Sequence, residues 1–194
     1  MSRGRLEAFS DGVMAVLITI MVLELHIPEG NGLEALRAVL PQFLFYVMSF
    51  IYLGIYWSNH HHLLHTVSTV NGKILWANLH LLFWLSLFPV TTAWMGENHL
   101  AVIPTATYGV VMICAAIAYT ILVRTIIATH GRQSTLATAV GRDSKDKLSI
   151  VIYGVAILMA FVSPIVSAAL YATVAVMWLV PDRRIERTIR SANP

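Results

Sequence analysis

Arg5-Leu6-Glu7-Ala8-Phe9-Ser10-Asp11-Gly12-Val13-Met14-Ala15-Val16-Leu17-Ile18-Thr19-Ile20-Met21-Val22-Leu23-Glu24-Leu25 is the stretch that decides how this chain is built. A charged cluster, Arg5-x-x-x-Phe9-Ser10-Asp11, runs straight into an apolar helix in which Thr19 is the only polar side chain between Asp11 and Glu24. Charge at the mouth of a membrane span is costly, so it marks a position with a task. A lone threonine on one stripe with Val16, Ile20 and Leu23 suits the lining of a narrow ion path.

The rest of the chain agrees with a bilayer setting. Its 194 residues are 57% hydrophobic and only 12% charged, with a mean hydropathy of +0.71. A soluble domain of this length carries about twice that share of charge. The expected class is therefore all-α integral membrane, with residues 1–194 forming one unit and no convincing internal repeat. The first apolar segment lacks a small-residue cleavage site and starts on a charged motif, so it reads as a retained span. The lone Cys114 excludes an intrachain disulfide and a multi-thiolate metal site.

A crossing takes roughly 20 apolar residues. Six segments qualify, near 7–26, 36–63, 74–95, 101–128, 147–163 and 165–181. The last two are short and are separated at Ser163-Pro164, where proline ends a helix; they read as two tightly linked spans, the alternative being a hairpin that does not cross fully. With the N-terminus inside, Arg3, Arg5, Lys73, Arg124, Arg132, Arg142, Lys145, Lys147, Arg183, Arg184, Arg187 and Arg190 are all cytoplasmic. Of the 13 Lys and Arg, only Arg37 falls outside. That is the positive-inside pattern, and a five-span arrangement breaks it. Both termini are thus expected in the cytoplasm, the basic tail lying against anionic headgroups of the cell membrane. The net charge of +3 reports orientation, not nucleic-acid binding.

Residues three and four apart share a helix face. Gly12, Val16, Thr19 and Leu23 form one stripe, with Ile20 beside it. Asp11, Ala15, Ile18 and Val22 form another, expected to turn into the bundle. One helix cannot enclose a conduit, but several copies around an axis can. Rings of Val16, Ile20 and Leu23 then make hydrophobic constrictions. A ring of Thr19 hydroxyls supplies the side-chain oxygens. Potassium is the less tightly hydrated ion, so partial replacement of its shell penalises sodium more. The plainer alternative is that Thr19 bonds back to its own helix and the stripe packs on a neighbour.

The Arg5-x-x-x-Phe9-Ser10-Asp11 motif, with Thr19 eight residues after the aspartate, resembles the transmembrane protein 175 family of potassium channels. Trp57-Ser58-Asn59-His60, Asn78 in Leu75-Trp76-Ala77-Asn78, and Pro89 in Leu87-Phe88-Pro89 resemble that family's second and third helices. The likeness runs over nearly the whole chain, and its Phe-Ser-Asp element is the specific part. It implies a six-span subunit in a homotetramer, with the first helix lining a potassium-selective pore. Val16, Thr19, Ile20 and Leu23 fall on the family's constriction positions. Valine is smaller than the usual residue there, which makes Leu23 the candidate for the narrowest point. The resemblance also implies a structural polar network of Arg5, Phe9, Ser10 and Asp11 with Trp57, His60 and Asn78 or Trp76. Taken alone, Arg5 is equally a topology charge and Asp11 a helix-start acid.

Other candidates were weighed on their chemistry. His61 and His65, inside the run His60-His61-His62 to His65, have a workable ligand spacing. No Cys, Asp or Glu lies close by in sequence to complete a set, so the expectation is no metal and no cofactor. Titration of the cluster near neutral pH is the more natural role for it. Glu24, His26 and Glu29 can form an acidic vestibule at the outer helix end. No catalytic constellation or metalloprotease motif is present, so no enzyme is expected. The rival reading is a proton-coupled secondary transporter using Asp11 and His60. Such transporters carry broken helices and paired repeats. A third reading is a membrane adaptor with no flux. The partners expected are further copies of the chain, membrane lipid and permeant potassium.

Overall fold

The computed structural model describes residues 2–131 and 145–179, and all regular structure among them is helical. The order is α1 (Arg3–Leu23), α2 (Leu33–His65), α3 (Gly72–Ser86), α4 (Phe88–Glu97) and α5 (Val102–His130), followed by α6 (Lys145–Ala160) and α7 (Pro164–Leu179). Helices are what an apolar solvent demands, because each satisfies its backbone donors and acceptors within the segment. Residues 132–144, with Arg132 and Arg142, and residues 180–194, with the four tail arginines, lie outside the described residues.

Four stretches are long and apolar enough to cross a membrane: Arg3–Leu23, Leu33–His65, Gly72–Glu97 and Val102–His130. The stretch expected as one span at 74–95 falls within Gly72–Glu97, and it is not one continuous helix. Leu87 both closes α3 and opens α4. The reason is Pro89, which has no N–H to offer the preceding turn and fits only a first-turn position. The segments expected at 147–163 and 165–181 are α6 and α7, each 16 residues as described. Sixteen residues rise about 24 Å. That is short of the ~30 Å hydrocarbon core. Phe161 to Ser163 part them, and Pro164 opens α7 as a first-turn proline.

At 33 residues α2 is the longest helix. It extends for about 50 Å, more than a bilayer core needs. Its far end carries the histidines. Gln42, near the opposite end, clasps the α1–α2 loop: its amide donates to the Glu24 carbonyl at 3.0 Å and to His26 Nδ1 at 3.0 Å. Its own oxygen accepts from the His26 backbone N–H at 3.3 Å.

Within a membrane, packing and polar contacts replace the hydrophobic effect as the force between helices. The core shows both. Tyr52, Phe88, Tyr108, Tyr153 and Tyr171 form a chain of ring contacts across five helices. Ser49 Oγ lies 2.7 Å from Thr92 Oγ1 and 3.0 Å from Tyr108 Oη. Tyr171 donates to the Thr105 carbonyl at 3.1 Å, and Tyr52 donates to the Tyr171 carbonyl at 2.5 Å. Gly109 makes the α5–α7 approach possible. A Cβ there would strike Tyr171 Oη and meet Ile157 Cγ1 at 2.7 Å.

Candidate pore-lining face and its polar anchor

The helix α1 has two unlike faces. Leu6, Ser10, Met14, Leu17 and Met21 are buried, packed toward α2, α3 and α4. On the other side Thr19 is exposed, together with Val16 (54%), Ile20 (38%) and Leu23 (80%). Among the described residues, the stripe singled out in the sequence is thus free of the chain's own helices and does not pack on a neighbour within the subunit. Thr19 does bond back to its helix, Oγ1 donating to the Val16 carbonyl at 2.8 Å. This uses the hydroxyl hydrogen and leaves the oxygen lone pairs facing outward from the subunit.

The inward face is one residue away from the one expected. Asp11 is only half-buried, and Ala15 and Val22 on its stripe are exposed. Ser10, not Asp11, enters the bundle. A buried relay links three helices there. His60 donates from Nε2 to Asn78 Oδ1 at 2.6 Å, Asn78 Nδ2 donates to Ser10 Oγ at 3.0 Å, and Ser10 donates to the Leu6 carbonyl at 2.9 Å. All three side chains are fully buried. Because the Asn78 oxygen is an acceptor, the His60 proton sits on Nε2. The Nδ1 lone pair is buried with no partner among the described residues.

A second, outer contact joins the same helices. Trp57 Nε1 donates to Asp11 Oδ1 at 3.0 Å. Asp11 and His60 therefore belong to separate contacts, with no hydrogen bond between them. Arg5 and Phe9 stand apart from both contacts and are exposed, as is Trp76. Together Ser10 and Asp11 pin α1 to α3 and α2. Two adjacent residues held on two partners fix the rotation of a helix about its axis, and so fix where Thr19 points.

At the end of the bundle next to Arg3, the structure brings in a residue that sequence spacing missed. Glu7 of α1 places Oε1 3.0 Å from His61 Nδ1 and 3.8 Å from His65 Nε2. It is 54 positions from His61 in the chain, so only the α1–α2 packing makes them neighbours. At the opposite end His26 Nδ1 lies 3.9 Å from Glu97 Oε1.

Comparison with known proteins fits this geometry. A family profile described as the endosomal/lysosomal potassium channel TMEM175 matches residues 5–89, which contain the Ser10, Asp11, Trp57, His60 and Asn78 contacts. A Chryseobacterium protein named as a potassium channel is 54% identical over 190 residues, covering 98% of this chain and 99% of that one. A Gallus gallus protein named as the endosomal/lysosomal proton channel TMEM175 is 37% identical over 75 residues, 32% of this chain and 15% of that one. The crystal structure of a lysosomal potassium-selective channel TMEM175 homologue from Chamaesiphon minutus superposes with a TM-score of 0.80 at 24% identity, covering 92% of this chain and 96% of that one. The fold is thus shared, the sequence likeness runs end to end, and the chain is a membrane protein that belongs to the TMEM175 family.

Proposed function

We propose that this protein is a passive, potassium-selective channel of the cell membrane, a homotetramer of six-span subunits with both termini in the cytoplasm. Four copies of α1 surround the axis. Val16, Ile20 and Leu23 form hydrophobic constrictions, and Thr19 contributes a ring of oxygens in place of a carbonyl filter. The one observation that carries this reading is the exposed stripe on α1, set opposite a packed face and held in rotation by the Ser10 and Asp11 contacts. An exposed apolar stripe alone is what any lipid-facing helix carries; a single outward oxygen on that stripe adds a group that a closed ring of copies can turn to a conduit. The name carried by the Chryseobacterium relative supports potassium as the permeant ion. No cofactor enters this mechanism. Lipid, further copies of the chain and the permeant ion are its partners.

The positive-inside pattern supports the six-span topology, with α6 and α7 as a short pair. The proton-coupled alternative asks Asp11 and His60 to exchange a proton, yet they occupy different hydrogen bonds.

The test is ion flux in liposomes. A potassium gradient without a proton gradient gives a diffusion potential close to the Nernst value if the protein is a channel. A coupled transporter gives none until the second ion is supplied, and an adaptor gives none at all. Thr19→Ala lowers potassium-over-sodium preference with assembly intact. Unchanged preference in that variant removes the threonine ring from the mechanism.

A further inference from the structure

We propose that Glu7, His61 and His65 form a binding site for a divalent transition metal of the zinc class, clamping α1 to α2 at the end of the bundle that carries Arg3. The three ligand atoms, one from each side chain, all lie within 4.8 Å of one another. Tetrahedral zinc, with bonds of about 2.0–2.2 Å to nitrogen and oxygen, sets its ligand atoms roughly 3.3–3.5 Å apart. The Glu7 to His61 and Glu7 to His65 separations of 3.0 and 3.8 Å bracket that value. Small rotations of the half-exposed His65 ring close the remainder.

The donor set is the right one. Two histidines four apart on one helix face, joined by a carboxylate, suit zinc and leave a fourth position for water. The ligands are also supported from outside. The Trp57 ring stacks on His61 at 6.2 Å between centroids and 29° between planes, while its N–H holds Asp11. His61 and His65 meet edge to face at 4.5 Å, which keeps the two rings side by side. Such contacts around a site orient its ligands. Arg3 donates to the His65 carbonyl oxygen at 3.3 Å. That contact is to the backbone, so the Glu7 carboxylate is left to the imidazoles. Side-chain exposures of 40% and 52% for His61 and His65 make the site open to exchange with bulk metal. It is thus a reversible clamp, in contrast to a buried structural ion. In the absence of metal the same groups satisfy each other as a carboxylate–imidazole pair.

The measurement uses the full-length protein in detergent, titrated with zinc alone and, separately, with cobalt(II) as a spectroscopic stand-in. Zinc binding at one site per chain, an upward shift in melting temperature and visible cobalt bands of tetrahedral intensity are expected. Glu7→Gln and His65→Gln should each weaken zinc binding by at least ~10-fold, the loss typical of even an outer-shell partner. His62→Gln, which lies outside the three-ligand set, should leave binding unchanged. His65 is half exposed, so its replacement tests the site even if Glu7→Gln fails to fold. Zinc affinity equal in wild type and His65→Gln, or cobalt remaining octahedral and weakly coloured, overturns the proposal. None of these readouts depends on ion permeation.

Discussion

The two faces of α1 are built from nearly the same residue types yet have opposite fates. Leu6, Met14, Leu17 and Met21 are pressed into the subunit, while Val16, Ile20 and Leu23 look away from it. Hydrophobicity does not separate them, since from Gly12 onward the helix is apolar on every side apart from Thr19. Polar anchoring does. Ser10 has a buried partner on α3 and Asp11 has an indole on α2, and between them they select the rotation. In a membrane this is the general lesson: the face that enters the protein is chosen by packing and a few hydrogen bonds.

That contrast can be broken by substitution, and the inward face should break first. Met14→Ala leaves a cavity in the packed face and should cost roughly 2–5 kcal/mol, read as a fall in melting temperature of the detergent-solubilised protein. Asn78→Leu strands His60 Nε2 and one lone pair of Ser10, and should cost about 1–3 kcal/mol. The same variant should loosen α1 rotation, measurable as altered cysteine cross-linking along its outward stripe. Trp57→Phe keeps an aromatic side chain but removes the pyrrole ring and with it the donor to Asp11, at a cost of at least the ~0.6 kcal/mol average for hydrogen bonds between membrane helices. Thr19→Ala should change stability by less than about 0.5 kcal/mol, because its hydroxyl bonds only to its own helix. Should Thr19→Ala destabilise as much as Met14→Ala, the two faces would not differ as described.

Much of this was legible in the residues. The apolar lengths marked the helices, and the Gly12, Val16, Thr19, Leu23 spacing marked a common stripe. The inward stripe was misplaced by one position because an all-round apolar helix has almost no amphipathic signal. Asp11 is the more conspicuous residue in the sequence, yet the smaller Ser10 enters the buried relay because a serine does so at lower desolvation cost than a carboxylate. The break at Leu87 was readable from Pro89, whose missing N–H ends one helix and opens the next. The approach of Glu7 to His61 and His65 was not readable, since local spacing holds no information about which helices touch.

Gly109 sets how closely three helices can approach. A methyl group there collides with the Tyr171 hydroxyl, with Ile157 at 2.7 Å and with the Tyr171 ring carbon Cζ at 2.9 Å. Exchanging tyrosine for phenylalanine at 171 relieves only the first of the three clashes. An alanine at 109 requires both Tyr171 and Ile157 to move. Position 109 therefore holds α5 against α6 and α7 at a separation that leaves no room for even a methyl group as packed.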